Sequence, residues 1–219
     1  MTVHEGDEKS RLLEQIVAET QVCTRCDLCI GARKAAPGSG DPHAEVMLIG
    51  EAPSAYDDRS GVPFSGPSGT FLDELLRLAG LRREQVYLTN VVKHRVPDGQ
   101  TLQSSEITAC AEYLTRQIAA LNPTVIVTLG RYSLARFLPR AKITSIHGQA
   151  RLHDGRILVA MFNPAAALHR EELRQTVVDD FARALPAALA EARRLAAEGK
   201  LGGTNPNDEG QAPQQMSLF

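Results

Sequence analysis

Three polar side chains stand directly at the ends of apolar runs in this chain, and each carries a group able to act on a polar ligand. Glu51 follows Val46–Gly50, Asn90 closes the run from Val86, and Asn163 follows the run ending at Met161 and Phe162. A carboxylate can orient water, take a proton or face a developing cation. A side-chain amide can donate and accept at once. A second constellation is made of sulfur. Cys23, Cys26 and Cys29 fall within seven residues, Cys110 lies far downstream, and His94 stands between. Cys-x2-Cys is a short-range chelate, so clustered cysteines favour a metal or cluster over disulfides. Spacing leaves zinc and iron–sulfur both open, and leaves Cys29 or His94 as the fourth ligand.

These side chains need a scaffold that brings distant segments together. Val46–Ile49, Val86–Val92 and Thr124–Leu129 are apolar runs of strand length. Residues 150–161 read as a hairpin turning at Asp154-Gly155. Helical periodicity is predicted over 9–22, from about Thr70 to Gly80, over 106–120, over 131–138 and over 171–198, with Pro186 a point of kinking. Between Gly50 and Thr70 the composition is Gly, Pro, Ser and Asp with one aromatic, Phe64, as expected of a polar loop over a pocket. The order β-α-β-α-β-α-ββ-α predicts an α/β fold, a three-layer α/β/α sandwich on a mostly parallel central sheet. In such sheets the carboxyl ends of the strands form the ligand crevice, where Glu51, Asn90 and Asn163 are all expected.

With 219 residues, 43% of them hydrophobic, the chain can bury one sizeable core. We expect a single domain over 1–198 and a disordered tail over 199–219, rich in Gly, Asn, Pro and Gln. A net charge of −2 does not announce nucleic acid as a partner, and it does not exclude one, since local patches matter more than the sum. No apolar run approaches membrane-spanning length and the first twenty residues are acidic. A cytoplasmic protein without membrane attachment is expected, and a monomer.

Gly50-Glu51-Ala52-Pro53, Asp58, Gly61 to Gly66, Thr89-Asn90 to Lys93, Leu129-Gly130 and Asn163-Pro164 keep the order and spacing seen in the iron–sulfur (family 4) uracil-DNA glycosylases, which the chain resembles from about Cys23 to Glu198. The resemblance implies a uracil-DNA glycosylase-like fold and a monofunctional DNA-repair hydrolase that flips uracil from DNA and leaves an abasic site. It implies Phe64 stacking on the base, Asn90 reading its edge, Glu51 serving the water or the cationic sugar, and Gly50 and Ala52 shaping the pocket. It implies a [4Fe-4S] cluster on Cys23, Cys26, His94 and Cys110, with a structural zinc as the alternative. His94 stands where the family usually has cysteine, as in a related branch. That branch's inserted basic loop is missing here, so covalent trapping on DNA is not expected. Asn163 replaces the family's histidine, which donates to uracil O2. A module that binds or senses damaged DNA with weak or altered excision is therefore the alternative function.

Ser65 and Ser68, ahead of one helix, and Arg131, at the start of another, are placed to hold DNA phosphate, and the same resemblance implies DNA contacts from His147, from Leu168 as a minor-groove wedge, and from Arg170. The last five residues resemble the peptide with which bacterial repair proteins bind the sliding clamp, with Gln215, Leu218 and Phe219 as its anchors and a nucleoid setting as the corollary.

Overall fold

A computed structural model of the chain describes residues 7–201. Its elements in order are α1 (Glu8–Gln21), β1 (Ser39–Gly40), β2 (Val46–Gly50), α2 (Ala55–Ser60), α3 (Pro67–Leu78), β3 (Val86–Asn90), α4 (Ser104–Leu121), β4 (Val125–Leu129), α5 (Arg131–Ala135), α6 (Ile143–Ile146), β5 (Gln149–His153), β6 (Arg156–Met161), α7 (Pro164–His169) and α8 (Glu171–Ala197). The six strands form one sheet in the order β1-β3-β2-β4-β6-β5. The four central strands run parallel, and the two edge strands run antiparallel to their neighbours.

The central strands are apolar throughout because both faces are covered. Alternate residues divide between two layers, as the period of two requires. Val46, Leu48, Val86 and Val127 pack with Leu72 and Leu75 of α3 and Phe181 of α8. Met47, Ile49, Tyr87 and Ile126 face the other way, toward Ile16 of α1 and Leu114 of α4. This is the expected three-layer sandwich. From β2 the chain crosses through α3 to β3, then returns through α4 to β4 on the other side of β2. The crevice at the carboxyl ends of β2 and β4 is thus a switch point of the sheet, the usual ligand position in this architecture.

Several local expectations are corrected. The stretch after Gly50 is not a plain loop. Ser54 and Asp57 form a reciprocal capping box that starts α2, and Pro67 starts α3 ahead of Thr70, its fixed φ suiting the first helical position. The second strand ends at Asn90, and Val91 N–H and Val92 N–H turn to the carbonyls of Gly50 and Glu51 at 3.0 and 3.2 Å. The helix expected over 131–138 stops at Ala135, and a short α6 precedes the hairpin. Pro186 lies inside α8 without ending it, the flanking Leu185 and Leu189 both being buried in the core. The hairpin turns at Asp154-Gly155 as expected, both residues at positive φ, 46° and 68°. No helix among the described residues is long and apolar enough to cross a membrane. The clamp-like peptide with Gln215, Leu218 and Phe219 lies outside the described residues.

Candidate active site

Consecutive contacts link the strand ends into one row. Gly50 pairs with Asn90 across β2 and β3. The Glu51 carboxylate reaches the other way, to the start of α5, where Oε1 accepts from Tyr132 N–H at 3.0 Å. Gly130 makes that approach possible: at φ 104° it has no side chain, and a Cβ there would lie 2.6 Å from Oε1. Gly130 N–H in turn donates to the Met161 carbonyl at 2.9 Å, two residues before Asn163. Glu51, Asn90 and Asn163 therefore stand along one edge of one sheet, at its switch point. Burial raises the Glu51 carboxyl above the usual carboxylate range, opposed by the Tyr132 amide and the Arg131 charge.

Asn90 is buried, and its Nδ2 has no hydrogen-bond partner. A buried amide donor left unpaired costs about 1–3 kcal/mol unless something else accepts from it. Beside it Gly50 lets two side chains close in: a Cβ there would clash with Asn90 Oδ1 and lie 2.7 Å from Phe64 Cζ, so both pack directly on the glycine backbone. Phe64 itself is held in a left-handed conformation, φ 56°, rare for an aromatic residue. Clamps on both sides hold it there. Arg83 Nη2 donates to the Phe64 carbonyl at 2.9 Å while its Nε donates to Asp73 at 2.7 Å, and Asp57 Oδ1 accepts from Ser65 N–H at 2.8 Å. Such strain costs on the order of 1–3 kcal/mol and persists where surrounding bonds over-determine it. Asn163 is held otherwise. It caps α7, Oδ1 accepting from Ala165 N–H at 3.0 Å, which leaves the Nδ2 hydrogens as its offer to a ligand.

Of the residues expected to touch DNA, Ser65 and Leu168 line one groove of about 490 Å³ together with Tyr56, Gly66 and Arg174. The Ser65 hydroxyl is hydrogen-bonded to Asp57 and Ser60. Leu168 is 40% exposed at the end of α7, a large apolar side chain facing solvent, and Arg170 is exposed at the junction with α8. Ser68 lies in the first turn of α3. Arg131 is exposed, folded back so that Nη2 donates to the Tyr132 hydroxyl at 2.8 Å. His147 is half-buried, its Nδ1 hydrogen-bonded to Asp180 at 2.8 Å and its ring 4.7 Å from that of Phe162. Tyr56 is exposed, its ring covering Gly66.

The sulfur residues gather on the α4 side of the sheet. Cys110 is buried there, and Cys23 and Cys26 pack against the same apolar cluster. Cys23, Cys29 and the buried His94 line a cavity of about 240 Å³. Among the described residues, no three His, Cys, Asp or Glu side chains stand close enough to hold a metal ion as they are. The donor chemistry nevertheless suits a thiolate-bound group. Burial pushes the Cys26 and Cys110 thiols up and the His94 imidazole down, toward the neutral ring in which a histidine ligates a metal. Cys29 and His94 share one cavity wall, and both remain candidates for the fourth donor.

Sequence reasoning missed the residues that hold the site rather than form it. Asp57 had a signal, since Ser54-x-x-Asp57 is a capping-box pattern. Arg83 and Tyr132 had none, because one acts across the fold and the other through its backbone.

The model of the uracil DNA glycosylase superfamily matches residues 37–186. A type-4 uracil-DNA glycosylase of Sulfurisphaera tokodaii is 37% identical over 203 residues, covering 88% of this chain and 92% of that relative. One of Saccharolobus solfataricus is 39% identical over 180 residues, covering 77% and 83%. A type-5 uracil-DNA glycosylase of Thermus thermophilus is 33% identical over 156 residues, covering 55% and 71%. On these matches the chain belongs to the uracil DNA glycosylase superfamily and, within it, to the type-4 uracil-DNA glycosylases.

Proposed function

We propose that this chain is a monofunctional uracil-DNA glycosylase that hydrolyses the N-glycosidic bond of an extruded uracil and leaves an abasic site. The observation that carries the reading is the unpartnered Nδ2 of buried Asn90, at the strand end where Phe64 packs close against Gly50. Uracil offers an acceptor at O4 and a donor at N3, which one Asn amide satisfies together. Cytosine presents the opposite pattern, and a site built for one rejects the other because buried polar groups stay unpaired. Phe64 stacks on the base. As the bond breaks, the sugar gains positive charge and uracil departs with negative charge. Glu51 faces the first, either holding the water or balancing the cation, and Asn163 Nδ2 donates to O2 against the second. Leu168 fills the gap left by the flipped nucleotide, and Ser65, Ser68, Arg131, His147 and Arg170 face the strand.

Cys23, Cys26 and Cys110, with His94 as fourth, would hold a [4Fe-4S] cluster, a structural zinc being the alternative. Its contribution when bound is structural, tying the N-terminal helix to α4. Iron and sulfide analysis with visible absorbance separates the two metals, and His94→Ala losing the chromophore while Cys29→Ala keeps it supports the assignment. We read residues 1–198 as one catalytic domain acting as a monomer. The tail carries a sliding-clamp peptide that would tether the enzyme near DNA. Deleting residues 215–219 should abolish clamp binding and leave excision on short oligonucleotides intact.

The test of function is free base released from matched oligonucleotides containing one uracil, hypoxanthine, xanthine or cytosine. Uracil release with cytosine untouched supports the reading. DNA binding without any base release favours the damage-sensing alternative.

A further inference from the structure

Behind Asn90 lies a buried polar cluster that meets the proposed base-reading residue only through its backbone carbonyl. Lys93 is 1% exposed, and its Nζ donates to Thr89 Oγ1, to the Asn90 backbone carbonyl and to Gln117 Oε1, each at 2.7 Å. Three protons meet three acceptors, so the ammonium is saturated. The acceptors are themselves anchored: Thr89 Oγ1 and Gln117 Nε2 both donate to the Pro37 carbonyl, at 2.7 and 2.8 Å. One side chain thereby joins β3, α4 and the segment leading from the cysteines. Gln117 lies on α4 about two turns beyond Cys110.

A methionine would fill this volume without requiring any acceptor. What the lysine adds is direction. The peptide between Asn90 and Val91 is gripped at both ends, its carbonyl by Lys93 and its N–H by the Gly50 carbonyl at 3.0 Å. Rotation of that peptide, which would swing the Asn90 side chain, breaks a charge-assisted bond. We propose that Lys93 is a positioning residue for Asn90, fixing the angle at which its amide meets the base. The inference rests on the uracil-excision reading above.

The test is a double-mutant cycle on the full chain in single-turnover uracil release, with DNA affinity measured alongside. Lys93→Met should slow release by about tenfold to a hundredfold, with DNA Kd changed by less than about twofold. On an Asn90→Ala background the same change should cost less than about twofold, because the amide it aims is gone. An unchanged rate for Lys93→Met, or the same fold loss in both backgrounds, overturns the proposal. Should Lys93→Met fail to fold by circular dichroism, Thr89→Val carries the same cycle. A smaller loss that vanishes beside Asn90→Ala supports the idea, and no loss or full additivity overturns it. Absence of uracil release by the unmodified chain would instead sink the functional reading, and that is measured first.

Discussion

An asparagine stands at the carboxyl end of β3 and another just beyond that of β6, and the two are held in opposite ways. Asn90 is enclosed, its backbone gripped by Lys93 and Gly50, its Nδ2 unpartnered and out of reach of water. Asn163 is half-exposed at the start of a short helix that its own side chain caps. On the proposed reading, the difference amounts to a division of labour. Discrimination between bases needs a donor and acceptor that cannot adjust, whereas help to a departing anion tolerates a donor with some play. Glu51 sits between them, anchored to α5 by a backbone amide.

Substitutions that strike the two ends should separate these roles. Asn90→Ala is expected to have the largest effect, lowering single-turnover uracil release by about a hundredfold to a thousandfold. Gly130→Ala comes next. Its Cβ meets Glu51 Oε1 in a backbone conformation that alanine resists, so a loss of about a hundredfold in rate with a lower Tm is expected. Asn163→Ala should cost about tenfold in turnover, with DNA affinity retained, and about 1 kcal/mol of stability from the lost cap. Asn163→Ser sharpens the contrast: it restores the cap and the stability but not the rate. Asn163→His, which restores the residue the resemblance leads one to expect, should raise turnover by several-fold.

The smallest effect expected is on pH dependence. On the proposed reading the half-buried Glu51 must be ionised to serve the cationic sugar, and desolvation raises its pKa. The rate should therefore fall as pH drops through a midpoint above the ordinary glutamate value of 4.5, and Glu51→Gln should abolish that limb. A wild-type midpoint at or below 4.5 would contradict the assigned environment.

The sequence made the sheet legible because Val46–Ile49 and Thr124–Leu129 are apolar enough to demand cover on both faces. From those runs the common edge for Glu51, Asn90 and Asn163 followed. Illegible were the contacts between segments far apart. Arg83 reaches the Phe64 carbonyl from beyond α3, and Lys93 reaches Gln117 across 24 residues, with nothing local to announce either. The Tyr132 amide was hidden for another reason: a backbone donor leaves no trace in residue identity. The loop after Gly50 was misread where its capping pattern, Ser54 and Asp57, lay within a polar stretch with no apolar period to mark a helix.

The central claim is that three side chains from three strand ends act on one extruded uracil. It is tested most directly by single-turnover uracil release from the full chain and from Glu51→Gln, Asn90→Ala and Asn163→Ala, with DNA Kd measured in the same buffer. The account predicts that every variant loses rate, Asn163→Ala least, while each Kd stays within about twofold of the unmodified chain. A variant that excises uracil at the full rate, or an unmodified chain that releases none, would contradict it.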